Sequence, residues 1–132
     1  MKNRFFPAAL TFCGLIFAAA PLMAHHSFAA QYDRSKPATL VGPVVRVDWI
    51  NPHARIYMDA KDATGKVQRW EIELSAPAML MRQGWTSKAL KAGDEVTVAG
   101  SLAKDGSNLL NASSVKLGEK VIFRGTAETD TP

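Results

Sequence analysis

The chain has 132 residues, with 16 basic and 12 acidic side chains and a formal net charge of +4. This length suits one modest domain, and the basic residues are scattered singly, which argues against a nucleic-acid or lipid surface. The one cysteine, Cys13, lies in an apolar N-terminal stretch, so the remainder of the chain can form neither disulfides nor thiolate metal sites.

The N-terminal stretch has the features of a secretory signal peptide. Lys2 and Arg4 precede a nearly all-apolar run over residues 5–20, and Pro21 and Ala24 supply a turn and a small residue at a cleavage site. A retained membrane anchor is the alternative, but a spanning helix needs about 20 apolar residues and this run is shorter. We therefore predict a signal peptide over residues 1–24 and a periplasmic or secreted mature protein without a transmembrane span.

The mature chain is predicted to begin with a polar lead-in over residues 25–38. The next segment, residues 39–49, is rich in β-branched residues and predicts a first strand. Gly42-Pro43 within it favours a bulge or an edge position, because proline cannot donate to a strand ladder. Period-two spacing predicts one buried face, made of Val41, Val45, Val47 and Trp49.

Two further strands follow the turn at Asn51-Pro52-His53. In the second, over residues 55–60, Ile56 and Met58 are expected to face the core. A hairpin connection over residues 61–66 leads to the third strand, over residues 68–74. The third strand has the most regular alternation in the chain, and its predicted inward set is Trp70, Ile72 and Leu74.

A short helix is predicted next, with Ser75 as its N-cap, Pro77 in its first turn and Gly84 at its end. We expect Leu80, Met81 and Trp85 to pack this helix on the sheet. Strands over residues 95–101 and 111–117 follow, burying Val96, Val98, Val115 and Leu117, and residues 121–123 extend or follow the last of them.

The order of strand, strand, strand, helix, strand, strand predicts a mainly β fold. It matches a small five-stranded barrel of the oligonucleotide/oligosaccharide-binding type, the OB-fold, with one short helix between strands 3 and 4. The barrel domain is predicted over residues 39–124 and a flexible tail over residues 125–132. This architecture supports many functions and assigns none by itself.

Several segments also resemble a known family of small exported bacterial proteins, which is described only as a domain of unknown function. The resemblance implies an exported single-domain protein of a Gram-negative bacterium, and it implies no activity, substrate or catalytic residue. The segments that carry it are the His-His-Ser-Phe-Ala start at residues 25–29, the Trp-Ile-Asn-Pro-His turn at residues 49–53, Gly84-Trp85, residues 90–94 and the Lys-Asp-Gly-Ser turn at residues 104–107.

A candidate metal site lies at the predicted mature N-terminus. A free α-amine, with a pKa of about 8, and the ring Nδ1 of His25 can chelate one divalent metal ion. His53 can complete a three-nitrogen set because Asn51-Pro52 places it in a turn, and nitrogen-rich sites without thiolates favour Cu(II). His26 can bind instead, through its imidazole and the amide between the two histidines.

Asp33 and Asp48 are candidate outer-shell acceptors for this site. The competing interpretation is a polar chain end at His25 and His26 together with a turn residue, His53, that contacts backbone. An oxidative copper enzyme is disfavoured because no aromatic surface large enough for a substrate is evident.

A second candidate site involves aromatic side chains near the same turn. Trp49 and Tyr57 are expected to line a shallow ligand-binding groove, whereas Trp70 and Trp85 are assigned to the core. Glu71 and Glu73 share one strand face, as paired catalytic carboxylates do, but Arg69 is expected to offset their charge on a solvated face. We predict no catalytic residue and no enzymatic activity.

Two function classes therefore compete. The first is an exported copper-binding protein, whose tight metal binding should be lost when a residue is added before His25. The second is a metal-free module that recognises a peptide, a glycan or an envelope protein through Trp49 and Tyr57. Because fourteen basic and twelve acidic residues remain after the signal peptide is removed, nucleic acid is not an expected partner of either.

Overall fold

The computed structural model of the protein describes residues 28–125. The predicted signal peptide, His25, His26 and all but the first residue of the predicted tail lie outside this range. In chain order the elements are α1 (Phe28–Gln31), β1 (Tyr32–Asp48), β2 (Arg55–Lys61), β3 (Val67–Glu73), α2 (Pro77–Arg82), β4 (Glu95–Ala103), β5 (Leu109–Leu117) and β6 (Lys120–Arg124).

The strands form one sheet that closes on itself. Neighbours pair in the order β3-β2-β1-β4-β5-β6, and a parallel pairing of β3 with β5, centred on Ile72 opposite Leu110, joins the two ends of the five-stranded part. With α2 between β3 and β4, this is the predicted OB-fold barrel. β6 pairs antiparallel with β5 and extends the sheet beyond the barrel.

β1 departs from the predicted pattern in two ways. It begins at Tyr32 rather than at residue 39. Its buried face before the bulge consists of Leu40 and Val44, and Val41, predicted to be buried, is 52% exposed. A register shift between Val44 and Arg46, just after Gly42-Pro43, then reverses the alternation. Because of this bulge, Val47 and Trp49 do pack against the core.

The core confirms the prediction for β2 and β3. In β2, Ile56 and Met58 are fully buried. In β3, Ile72 is fully buried and Trp70 almost so, as is Leu74 directly after the strand. These side chains point inward because each strand keeps an unbroken period of two. The opposite face of both strands carries charged and polar side chains, most of which are partly accessible to solvent.

The helix α2 and the residues after it bury fewer side chains than the sequence predicts. Leu80 and Trp85 are buried, but Met81 is 57% exposed, because a helix of six residues presents only one narrow face. The predicted cap is also wrong. Ala76 occupies the N-cap position without a side-chain hydrogen bond, and the Ser75 carbonyl accepts a hydrogen bond from the Ala54 amide at 3.2 Å.

Candidate functional site

The turn between β1 and β2 holds His53 in a defined orientation. Its Nδ1 lies 3.0 Å from the Leu74 carbonyl oxygen. A carbonyl oxygen can only accept, so Nδ1 carries a proton; of the two neutral tautomers, this selects the one with its lone pair on Nε2. Main-chain hydrogen bonds fasten the same turn to the end of β3, from Leu74 to Ala54 at 2.9 Å and from Ala54 to Ser75 at 3.2 Å.

A polar cluster lies beside this turn, on the outer face of the barrel; we call it the Glu73 cluster. The Arg55 guanidinium forms an ion pair with Glu71, and its Nη2 lies 4.0 Å from a Glu73 oxygen. Asn111 donates to the other Glu73 oxygen at 3.1 Å. The Glu73 side chain is only 12% exposed. The cluster comprises Tyr32, Arg55, Glu71, Glu73 and Asn111.

Tyr32 forms the buried side of the Glu73 cluster. Its side chain is 2% exposed, and burial together with the negative charge of Glu73 raises the pKa of the hydroxyl well above its ordinary value. Within residues 28–125, the Tyr32 hydroxyl and the Arg55 Nε are buried atoms without a hydrogen-bond partner, which is uncommon for buried polar groups.

The Glu73 cluster lies between two loops. Arg55 begins β2 directly after the turn that carries His53, and the Glu71 amide donates to the carbonyl of Asn108, in the β4–β5 turn, at 3.0 Å. OB-folds bind ligands on the face of their second and third strands and through these same two loops. The cluster therefore occupies the part of the barrel where this architecture places ligands.

The prediction that Arg69 offsets the charge of Glu71 and Glu73 is wrong. Arg69 pairs with Asp59 at 2.6 Å and leaves Glu71 and Glu73 to Arg55. The pairing follows from the β2–β3 register, in which Asp59 lies opposite Arg69 and Arg55 opposite Glu73. Pairing β2 with β3 residue by residue, starting from the predicted hairpin turn, places Arg55 opposite Glu73 and so identifies it as the partner. No sequence pattern indicates that Tyr32 or Asn111 belongs to the cluster.

The two aromatic residues predicted to share a groove lie on different sides of the sheet. Trp49 is half-buried and packs against the core. Tyr57 alternates with Ile56 and Met58 and faces outward, where the Arg46 guanidinium carbon lies 3.7 Å from its ring centroid. The structure thus brings Tyr57 together with Arg46 rather than with Trp49.

The predicted outer-shell carboxylates are engaged by their neighbours. Asp33 accepts hydrogen bonds from the amide and the hydroxyl of Ser35, at 2.9 and 2.6 Å, and Asp48 pairs with Arg46 at 3.0 Å. These hydrogen bonds lower the pKa of both carboxyl groups. Among residues 28–125, no group of three or more His, Cys, Asp or Glu side chains is placed to hold a metal ion.

In the same part of the chain, no helix is long and apolar enough to cross a membrane.

Solved structures similar to this chain have OB-folds. The N-terminal domain of the PriB protein from Thermoanaerobacter tencongensis has a TM-score of 0.44 at 14% identity, over 63% of this chain and 96% of that one. Rim1, a mitochondrial single-stranded DNA-binding protein of S. cerevisiae, has a TM-score of 0.46 at 13% identity, over 68% of this chain and 97% of that one.

The prediction that nucleic acid is not a partner needs correction. Rim1 is named as a single-stranded DNA-binding protein, and OB-fold barrels in general can bind single strands by stacking bases on aromatic side chains. A near-neutral net charge is therefore an insufficient basis for excluding nucleic acid, and the exclusion is withdrawn.

Sequence comparison supports a single assignment. No curated protein matches the chain at significant similarity. A family model does match, over residues 14–111, which is well over half of the chain. This agrees with the resemblance drawn from the histidine start and the Asn-Pro-His turn, and the chain belongs to the family of unknown function DUF6152.

Proposed function

We propose that this protein is an exported copper-binding module of the bacterial envelope. Cleavage after Ala24 would free the α-amine of His25, and that amine, the His25 ring and the His53 ring would supply three nitrogen ligands to Cu(II). The observation that carries the proposal is a path of contacts that leads from the N-terminal segment to the turn holding His53.

The path begins at Phe28, whose ring stacks on that of Tyr32 with centroids 5.4 Å apart. The charge of Glu73 acts on the Tyr32 hydroxyl and raises its pKa, and the residue after Glu73, Leu74, provides the carbonyl that orients His53. His25 precedes Phe28 by three residues, a reach of about 10 Å at full extension. Phe28, the first described residue, is thus linked through Tyr32 to the end of β3 that orients His53.

The orientation of His53 suits a metal ligand. Metal-binding imidazoles usually donate their second ring N–H to a carboxylate or a backbone carbonyl, which fixes the tautomer. Here Nδ1 donates to Leu74, so His53 would bind the metal through Nε2. A set of nitrogens without thiolates favours Cu(II) among the divalent metals. We propose binding rather than catalysis.

Replacing His53 tests the proposal directly. We expect His53→Ala to weaken Cu(II) binding by more than about tenfold, the least that changes around a metal site typically cost. Electron paramagnetic resonance should show one coupled nitrogen fewer than in the wild type. The matched control is His26→Ala, which should leave both the affinity and the spectrum unchanged. A His53→Ala protein that binds Cu(II) like the wild type would overturn the three-nitrogen site.

A second candidate is a metal-free interaction module that recognises an envelope protein or a glycan. It is favoured by the outward-facing pair of exposed Arg46 and half-buried Tyr57 on the face that OB-folds use for ligands. A planar aromatic ring beneath a guanidinium offers both a stacking surface and hydrogen-bond donors.

The module makes a separate prediction. Tyr57→Ala should weaken binding to purified cell-wall glycan by about fivefold or more, as expected for the loss of an aromatic stacking contact. Tyr57→Phe, which keeps the ring, should bind as the wild type does, and so should a protein in which all three histidines are replaced by alanine. Equal glycan binding by Tyr57→Ala and the wild type would exclude this face as the glycan-binding site.

A further inference from the structure

We propose that residues 28–33 form a displaceable arm, and that this arm covers a site for ligand hydroxyl groups in the Glu73 cluster. The arm consists of α1 and the first two residues of β1. Once the arm is displaced, the rest of the cluster would bind an uncharged ligand rich in hydroxyl groups, such as a sugar. The proposal uses no ligand of the copper site, and for the class of its own ligand it rests on the second candidate function.

The arm is separated from the rest of β1 by an exposed loop. On β4, the partner of Asp33 is Leu102, and the partner of Pro37 is the adjacent residue, Ser101. Residues 34–36 therefore stand outside the ladder, and all three are exposed. Because of this loop, the arm can leave the barrel while the pairing of β1 with β4 from Pro37 onward stays intact.

The contacts that hold α1 on the barrel are polar or partly exposed. None of its four residues is buried, and so short a helix cannot stabilise itself because helix nucleation is unfavourable. The Lys104 ammonium donates to the Ala29 carbonyl at 2.5 Å, and the Lys104 amide donates to the Gln31 carbonyl at 2.9 Å. The half-buried Phe28 ring stacks on Tyr32. Segments with little buried apolar surface open locally, without global unfolding.

Tyr32 is the one buried residue among residues 28–33, and its burial is costly. Within residues 28–125, its hydroxyl is one of the buried atoms without a hydrogen-bond partner. Burying an unpaired hydroxyl has a cost similar to the gain from burying a side chain of this size. Tyr32 therefore contributes little net stability to the closed arm, and displacing the arm frees its hydroxyl to bond with water.

The rest of the Glu73 cluster has the donors and acceptors that a hydroxyl group needs. Glu71 holds the Arg55 guanidinium and Asn111 holds one Glu73 oxygen at 3.1 Å, so both planar groups have a fixed orientation. The other Glu73 oxygen lies 4.0 Å from the Arg55 Nη2, which is too far for a hydrogen bond. That oxygen can accept from a ligand hydroxyl, and the unpartnered Arg55 Nε can donate to one. A hydroxyl does both, whereas a ligand carboxylate only accepts.

Hydrogen exchange tests the arm without any ligand. The Lys104 amide donates to the arm, whereas the Leu74 amide donates to Ala54 within the barrel at 2.9 Å. Relative to intrinsic rates, we expect the Lys104 amide to exchange more than about tenfold faster than the Leu74 amide, through local opening. Phe28→Ala should speed exchange at Lys104 by a further three- to tenfold, roughly the worth of an aromatic pair, and leave Leu74 unchanged. Equal protection of the two amides would show that the arm opens only on global unfolding, and would overturn the proposal.

Nitration by tetranitromethane measures the exposure of Tyr32 itself. The chain contains two tyrosines, so Tyr57 is an internal reference. We expect Phe28→Ala and Lys104→Met to raise the rate at Tyr32 by about threefold or more and to leave the rate at Tyr57 unchanged. Lys116→Met, at an exposed lysine of β5, is the matched control and should behave as the wild type. An unchanged rate at Tyr32 in both arm variants would contradict a displaceable arm.

Calorimetric titration with soluble fragments of purified cell-wall glycan tests the covered site. A closed arm lowers the apparent affinity by the fraction of protein that is open. Phe28→Ala should therefore bind more tightly than the wild type, by the factor found in hydrogen exchange. Adding Glu73→Gln to Phe28→Ala should weaken binding by about tenfold, as expected for the loss of a hydrogen bond to a charged group.

The other outcomes overturn separate parts of the proposal. Equal glycan affinity of Phe28→Ala and the wild type would show that the arm covers no site. Binding that depends on Tyr57 but not on Glu73 would refute the hydroxyl site and leave the second candidate function intact. Arm variants that bind only a single-stranded DNA oligonucleotide, or neither probe, would refute the ligand class. Cu(II) binding is measured separately and decides none of these points.

Discussion

Gly100→Ala is expected to destabilise the fold by about 3 kcal/mol or more, at the upper end of the usual cost of overpacking. Gly100 lies in β4, where β5 approaches it closely. A Cβ at this position would lie 2.0 Å from the Asn111 carbonyl oxygen and 2.6 Å from a methyl carbon of Leu110. Because the nearest obstacle is backbone in a paired strand, the clash can be relieved only by separating β4 from β5.

Gly65→Ala is the matched control for this prediction. Gly65 has a φ of +85°, but a Cβ there would meet nothing within 4 Å, so we expect a cost of about 1 kcal/mol from backbone strain alone. Chemical denaturation of both variants measures the difference. Equal destabilisation of the two would show that β4 and β5 yield readily at Gly100 and would contradict the packing described here.

Acetylation of the His25 α-amine is expected to weaken Cu(II) binding by more than about a hundredfold, beyond what changes around a metal site typically cost. The acetyl group converts the α-amine into an amide and supplies no new amine in its place. It removes one ligand and the anchor of the chelate ring together, so its effect should exceed that of His53→Ala.

Competition against a chelator of known affinity measures this loss. The control is the unmodified protein prepared by the same semisynthesis, which should keep the wild-type affinity. If the acetylated protein binds as tightly as the natural one, the α-amine is not a ligand. The His26 imidazole and neighbouring amides would then be the better candidates.

The sequence predicted the barrel well where the strands keep their period. In β2 and β3, apolar and polar residues alternate without interruption, so the inward sets containing Met58 and Ile72 followed directly. β1 was harder because its bulge after Val44 reverses the two faces. Gly42-Pro43 indicated some irregularity, but no local pattern specifies at which residue the register shifts.

The candidate site was predicted only in part, because it depends on contacts between distant segments. His53 was identified from its turn. The Glu73 cluster requires the β2–β3 register to bring Arg55 opposite Glu73, and it requires Tyr32 to pair with Ala103, far along the chain. The residues around Tyr32 are polar, so the sequence favoured an irregular lead-in there. The burial of Tyr32 comes from tertiary contacts, which local sequence does not specify.

The central claim is that the processed N-terminus forms a copper site with the barrel. The most direct test is a Cu(II) titration of the exported, naturally processed protein against a competing chelator, with the N-terminal residue identified by mass in the same sample. We predict His25 as the first residue and one-to-one, sub-nanomolar binding. Binding no tighter than that of an ordinary exposed histidine pair, in a sample that begins at His25, would contradict the claim.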